Sequence, residues 1–330
     1  MAKRYLEADV NNDVLNGLRV AILGYGSQGC GQALNLRDSG IDVILGLRPG
    51  GKSWHRAVSE GWQPFPIDEA CRQADAIGFL TPDMSHGQIF SEHVQSNLKP
   101  NATLFFAHGF SVHFKIIEIP SDVNVIMVAP KGSGATVRNL YLDGGGVAAL
   151  IAVHQDVTGT AHDLALGLGW GIGAGRTGMM DTTFAEESET DLFSEQAILC
   201  GGLPELILAG WETLVEAGYQ PEIAYFECLH EVKLIADLLY EGGLKKMYEI
   251  ISETAAFGGI TNGKRVLSKD SRASMRKILA EIRDGSFAKQ WQDVSSRGDL
   301  EWRTLVKEHT THPIETVGQE MRRQFLWKRQ

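Results

Sequence analysis

The stretch VAILGYGSQGCGQALNL, residues 20–36, runs from mostly apolar residues through a glycine cluster into a helix-like pattern. Gly24, Gly26 and Gly29 read G-x-G-x-x-G between a β-rich run and a helical one, the context that makes this motif informative. Gly24 permits a tight turn, Gly26 lets backbone approach a pyrophosphate, and Gly29 lets helix pack on strand. The amides of Ser27 and Gln28 would open the helix toward the anion. This arrangement predicts a parallel α/β unit that binds a dinucleotide.

The second strand, VILGL, should end near the adenosine ribose, where an NAD-binding chain usually offers Asp or Glu. Here residues 47–53 read LRPGGKS, with no acid. Arg48 as a planar donor, Lys52 as a point charge and Ser53 as a hydroxyl suit a 2′-phosphate, so the loop favours NADP over NAD.

Residues 18–130 alternate short β-rich runs (LRVAILG, IDVILGL, AIGFLT, ATLFFAHG, VNVIMVAP) with helical patterns, as in a mostly parallel sheet. DGGGVAALIAVHQD and GLGWGIGAGRTGMM read as further strands and glycine turns that finish this domain. From about residue 183 long helical patterns take over without a convincing strand. The reading is an α/β domain over 1–182 and an all-α domain over 183–330, a length that suits two domains.

The formal charge of −10 argues against a nucleic-acid or anionic-membrane partner. The N-terminal residues lack an apolar h-region, and GGGVAALIAV is too short to span a bilayer, which suggests a cytoplasmic protein. Cys30, Cys71, Cys200 and Cys228 form no C-x-x-C pair and read as reduced, buried thiols.

In the helical half, Asp191 and Glu195 stand four apart, as do Glu227 and Glu231, so each pair shares a helix face. Like charges at that spacing repel unless a cation lies between them. Two such pairs could supply oxygen ligands to hard divalent cations. Glu187 with Asp191 and Glu212 with Glu216 share the spacing, so spacing alone does not choose among them. Phe193, Leu199, Phe226, Leu229 and Leu234 favour the first two pairs, because apolar neighbours suggest partly buried acids that a metal would relieve.

GYGSQG (24–29), GLRPGGKSW (46–54), LTPD (80–83), FAHGF (106–110), MVAPKGSG (127–134), GRTG (175–178), ETDLFSEQAILCGG (189–202), ETLVEAGYQPEIAYFECLHEVKLI (212–235) and ISETA (251–255) span nearly the whole chain. Together they resemble ketol-acid reductoisomerase in its short form. ETDLFSEQ and AYFECLHE are the specific elements. The resemblance implies a Rossmann domain followed by a knotted all-α domain, NADPH and two magnesium ions per site. It also implies conversion of 2-acetolactate or 2-aceto-2-hydroxybutyrate to 2,3-dihydroxy-3-methyl acids in branched-chain amino-acid synthesis. Asp191 would bridge the metals and Glu195 would ligate one. Glu227 and Glu231 would complete the site from a partner subunit, with Glu231 also open to a proton-carrying role. His108 and Lys131 match catalytic positions, Ser252 a substrate-carboxylate contact, and Tyr25, Asp83, His86 and Gly134 cofactor positions. The implied assembly is at least a homodimer, and a dodecamer is equally compatible.

The chain departs from the family pattern at Cys30 and Gly31, where His and Ala are usual, at His86 for Gln, and at Gly51 and Ser133 for Ser and Pro. Ala256 and Phe257 replace an acid and a phenol beyond Ser252, which bears on substrate preference. Two other readings remain: a metal-independent NADP-dependent hydroxyacid dehydrogenase, and a nucleotide-sensing protein without turnover.

Overall fold

The apolar runs of the first half become strands because both of their faces are covered. Val20, Ala21, Ile22 and Leu23 are all fully buried, without the alternation of a half-exposed strand. The computed structural model describes residues 3–298 and 300–325. Its sheet has eight strands: β1 Arg4–Tyr5, β2 Arg19–Leu23, β3 Asp42–Gly46, β4 Ala76–Phe79, β5 Thr103–Phe106, β6 Asn124–Pro130, β7 Ala149–Gln155 and β8 Met179–Asp181. Their spatial order is β1-β8-β7-β6-β5-β4-β2-β3. The run from β3 to β6 is parallel, as is β7 with β8, while β6–β7 and β1–β8 are antiparallel. Strand β2 lies between β3 and β4, so the chain leaves the middle of the sheet in two directions and opens a crevice at the C-terminal strand ends.

Helices α1 Ser27–Asp38, α2 Lys52–Ser59, α3 Ile67–Gln73, α4 His86–Ile89, α5 Phe110–His113, α6 Gly134–Leu142 and α7 Ala161–Gly171 complete this unit. Buried apolar residues cover both faces of the sheet. Helices α1 and α6 approach at backbone distance: a Cβ on Gly31 would strike the Gly134 carbonyl, and one on Gly134 would strike the Ser27 carbonyl. Buried Asn35 completes the junction, donating to the carbonyls of Val137 (3.1 Å) and Ile172 (3.0 Å) while accepting from Arg138 (2.8 Å).

Two sequence expectations need correction here. The segment containing GLGWG is helix α7, not strand and turn. Its glycines lie against neighbours rather than bending the chain: a Cβ on Gly171 would come 2.7 Å from Ile41 Cδ1, and one on Gly169 would strike the Met179 sulfur. The expectation that no stretch is long and apolar enough to cross a bilayer also needs qualification by a second segment. The helical run Phe184–Glu216 is long and apolar enough to cross a membrane by length and composition, with mean hydropathy 1.4 over its best window. Acidic residues at 186, 187, 189, 191 and 195 crowd its first turns.

The described residues beyond Phe184 contain no strand: α8 Phe184–Ser194, α9 Gly202–Glu216, α10 Pro221–Tyr225, α11 Glu231–Ile250, α12 Glu253–Val266, α13 Lys269–Arg283, α14 Ser286–Ser296, α15 Leu300–Thr310 and α16 Pro313–Gln324. The chain divides into two compact units between Thr190 and Asp191, within α8. The second unit has a small core of its own around Trp211, Ala224, Tyr225, Ile314 and Met321. Helices α11, α12 and α15 bury no residue at all.

Gly134→Ala should destabilise the first unit by about 1–3 kcal/mol, because the added methyl meets backbone that cannot rotate away. Urea unfolding followed by circular dichroism reads this out, and an unchanged midpoint would contradict the close α1–α6 packing.

Candidate active site

At the end of β2, Gly24 adopts φ +94°, and a Cβ there would lie 2.7 Å from the Leu80 carbonyl oxygen. Only glycine fits such a turn. Gly26 caps α1, and a Cβ on it would meet nothing within 4 Å, so this position faces open space of the kind a pyrophosphate needs. On Gly29 the same atom would strike the Gly24 carbonyl, which explains the third glycine as helix–turn packing. Ser27 and Gln28 form the first turn of α1, and the Gln28 side chain donates to the Gly132 carbonyl at 2.8 Å. Gly134 serves this turn through packing, its Cα abutting the Ser27 carbonyl. Thr81, just past β4, has a buried hydroxyl without a hydrogen-bond partner, an orphan that fits a ligand in the crevice.

Tyr25 turns its ring inward. Its hydroxyl donates to Glu60 (2.6 Å) and accepts from Trp62 (2.9 Å), and burial, followed by the Glu60 hydrogen bond, raises its pKa. Any dinucleotide contact here is through the Tyr25 backbone. Glu60 also accepts from Arg56 (2.8 Å), whose guanidinium reaches Cys30 Sγ at 3.2 Å, so this network ties α2 to α1. Cys30 and Cys71 are buried, whereas Cys200 is exposed and Cys228 half-buried, so the expectation of buried thiols holds only in part.

After β3 the loop presents an exposed Arg48, then Gly51 as cap of α2, with Lys52 and Ser53 as its first two residues. Neither Arg48 nor Lys52 has an ion-pair partner among the described residues. A helix start flanked by two cations without ion-pair partners, with no acid in the loop, has the charge and backbone donors that suit an anion. Asp83 opens the short turn after β4, its carboxylate 3.9 Å from His86 Nδ1. The side chain of His86 is not offered to the crevice: it is 3% exposed and bonded at both ring nitrogens, to Ser111 and to the Thr81 carbonyl.

Helix α8 carries the residue on which the site turns, Glu187, which spacing alone could not distinguish from an ordinary surface acid. Glu187 is 1% exposed. Its Oε1 meets the Lys131 ammonium at 2.7 Å. Its Oε2 accepts from His108 Nδ1 at 2.9 Å and from the Gly109 amide at 2.8 Å. Burial by itself would raise its pKa; the His108 hydrogen bond, and then the charges of His108 and Lys131, overcome that and bring it to about 2. A carboxylate held ionised can only accept, so His108 carries a proton on Nδ1. Thus the end of β5, the end of β6 and α8 converge on one charge. The signal for this in the sequence was the arithmetic of burial: a histidine and a lysine at two adjacent strand ends need a common acid.

Asp191 stands one turn beyond Glu187 on the same helix, and ligand atoms of His108, Glu187 and Asp191 all lie within 4.8 Å of one another. Glu187 is neutralised by Lys131 and His108, and Glu195 follows Asp191 four residues on. Glu195 opens a π-helical turn, Glu195–Leu199, whose carbonyl accepts from both Cys200 (2.8 Å) and Gly201 (3.0 Å). Side chains on Gly201 or Gly202 would strike the carbonyls of Gln196 or Ala197, so the CGG sequence is what permits the turn. A second π turn, Phe226–His230, contains Glu227 and leads into Glu231 at the start of α11.

The expected burial of these acids is not met in one chain. Glu195, Glu227 and Glu231 are exposed, as are Leu199 and Leu234, because the apolar residues around them face a surface that a single chain leaves open. Among the described residues, Glu227 and Glu231 join no ligand cluster. Ser252 caps α12, its oxygen accepting from the Ala255 amide at 3.1 Å, which leaves its hydroxyl proton to donate.

The depressed Glu187 pKa stabilises the fold above the ordinary carboxylate range, and that contribution is lost as pH falls toward about 2. The stability gap between wild type and Glu187→Gln should therefore narrow by roughly 2 kcal/mol from about pH 7 to about pH 3. Urea midpoints at the two pH values test this; a constant gap would mean that Glu187 is not held ionised.

Both halves of the chain match known protein families. Residues 14–178 match the family described as acetohydroxy acid isomeroreductase, NADPH-binding domain, and residues 184–327 match ketol-acid reductoisomerase, C-terminal domain. A ketol-acid reductoisomerase (NADP(+)) of Pyrobaculum arsenaticum is 51% identical over 323 residues, 98% of each chain. A structure of an NADH-preferring ketol-acid reductoisomerase from an uncultured archaeon superposes with TM-score 0.96 at 41% identity, covering 98% of this chain and 100% of that one. A semialdehyde dehydrogenase NAD-binding protein from Cupriavidus necator, 18% identical with TM-score 0.61 and covering 81% of this chain and 99% of that one, shares the fold alone. With both domains matched and the resemblance running end to end, the chain belongs to the ketol-acid reductoisomerase family.

Proposed function

We propose that this oxidoreductase is a magnesium-dependent ketol-acid reductoisomerase that uses NADPH. It converts 2-acetolactate or 2-aceto-2-hydroxybutyrate to (2R)-2,3-dihydroxy-3-methyl acids in valine, isoleucine and leucine synthesis. The observation that carries this reading is Glu187, buried and ionised, holding Lys131 and His108 one helical turn before Asp191. A plain hydroxyacid dehydrogenase needs one catalytic base and no carboxylate ladder on the adjoining helix.

Asp191 and Glu195, with Glu227 and Glu231 from a second copy, would hold two magnesium ions. When bound, the ions would stabilise the alkoxide and the polarised carbonyl between which the alkyl group moves. The chain's own residues do the rest. Lys131, fixed by Glu187, lies where negative charge develops. His108, its Nδ1 committed to Glu187, offers Nε2 for proton exchange with the substrate oxygens. Glu231 is a second proton carrier or a metal ligand. Ser252 donates to the substrate carboxylate at the start of α12. The glycine turn and Thr81 hold the nicotinamide dinucleotide that supplies hydride.

The assembly reading rests on apolar surface. Along α11 and α12, Leu234, Tyr240 (92% exposed), Leu244, Ile250 and Phe257 (73% exposed) form no core in one chain. Such a surface calls for a second copy, in a homodimer or a dodecamer built from it, with the active site shared. We place the enzyme in the cytoplasm, and the knotted helical topology belongs to the same proposal.

NADPH oxidation with 2-acetolactate, with and without magnesium and alongside 3-hydroxy-3-methyl-2-oxobutyrate, is the deciding assay. Turnover of both substrates, with the first strictly magnesium-dependent and abolished in Asp191→Asn at unchanged NADPH affinity, is expected. Turnover of the second alone would leave a simple reductase, and turnover of neither a sensor. Arg48→Asp combined with Ser53→Asp should lower the NADPH/NADH ratio of kcat/KM at least tenfold, roughly the worth of one charge-assisted contact. An unchanged ratio would remove the loop from the specificity argument.

A further inference from the structure

His86 is one of the few buried titratable side chains to which the proposed chemistry gives no task. Its Nε2 lies 2.9 Å from the Thr81 carbonyl oxygen and its Nδ1 2.7 Å from Ser111 Oγ. A carbonyl can only accept, so Nε2 carries the proton, and Nδ1 accepts from the Ser111 hydroxyl. The ring is held edge-on to Phe79 (centroids 5.3 Å apart) and tilted on Phe106 (6.1 Å), so it has one orientation.

The two partners of this imidazole belong to different parts of the site. On one side, the Leu80–Thr81 backbone is the back wall of the glycine turn: a Cβ on Gly24 would lie 2.7 Å from the Leu80 oxygen and 2.9 Å from the Thr81 methyl. On the other side, fully buried Ser111 is in α5, three residues after His108 and two after Gly109, whose amide is bonded to Glu187. One side chain therefore spans the wall of the dinucleotide turn and the segment that aims His108. These loops follow neighbouring strands β4 and β5.

We infer that His86 is a positioning residue for hydride transfer, fixing the register between the dinucleotide turn and His108 through Thr81 and Ser111. The inference rests on the reductoisomerase reading of the site. An apolar replacement would strand the Thr81 carbonyl beside the Thr81 hydroxyl, which already lacks a partner. The loops would then shift to satisfy these groups. Small displacements of reacting groups are felt in rate before they are felt in affinity.

The test compares wild type with His86→Leu, His86→Gln and Ser111→Ala in the full-length enzyme with NADPH, magnesium and 2-acetolactate. It reads kcat, KM for NADPH, Tm and the primary isotope effect from NADPH deuterated at the transferred position. His86→Leu should lower kcat by about tenfold or more and raise the isotope effect, with KM for NADPH within about threefold of wild type. His86→Gln, whose amide donates at one end and accepts at the other, should restore both. Adding Ser111→Ala to His86→Leu should cost no more than His86→Leu alone. A folded His86→Leu enzyme with wild-type kcat and isotope effect overturns the inference, as does a Gln variant as impaired as the Leu variant. If His86→Leu does not fold, Ser111→Ala decides: a raised isotope effect at unchanged Tm supports positioning, and an unchanged isotope effect overturns it. No turnover by wild type would instead overturn the reductoisomerase reading, and this inference with it.

Discussion

The site is organised around the charge on Glu187. A carboxylate that is 1% exposed is tolerable only if its oxygens are saturated, and here an ammonium, an imidazole N–H and a backbone amide saturate them. Each partner comes from a different place: Lys131 and His108 from the ends of two strands, and Glu187 from the helix that follows the sheet. The carboxylate thus solves a folding problem and a catalytic one together. It joins α8 to the C-terminal ends of β5 and β6, and it sets the tautomer of the histidine and the place of the lysine. Asp191 inherits its position from that junction, because a helix fixed at residue 187 has no freedom left one turn later.

Beyond that junction the helical unit leaves much apolar surface uncovered. Its own core is small, three of its helices bury nothing, and its long apolar residues point outward. The two carboxylate pairs each adjoin a π turn, where an extra residue widens the helix and re-aims the side chains around it. Such turns carry weaker hydrogen-bond geometry than a regular helix. They occur beside both acidic pairs, and paired glycines permit one of them.

Much of the first unit was legible because its signals are local. The glycine turn, its flanking strand and helix, and the acid-free loop after β3 follow from residue type and order, and the structure assembles them as expected. Readings failed where packing overrode local preference. Gly167, Gly169 and Gly171 look like turn residues, yet they lie inside α7 because the helix presses against residues such as Ile41 and Met179 and leaves no room for side chains. Tyr25 and His86 occupy positions the family resemblance gives to the cofactor, but their side chains point into the protein and brace the turn from behind.

The sequence by itself determined the class of the fold, the dinucleotide turn and the chemical kinds of group available, because glycine stereochemistry, hydrophobic periodicity and charge are properties of short segments. Only the tertiary structure decided which acid mattered. Glu187, Asp191, Glu195 and Glu212 are alike in spacing along the chain. What separates them is burial against groups more than fifty residues away in sequence, Lys131 at 56 and His108 at 79, and desolvation makes that one carboxylate the point around which the others take their roles.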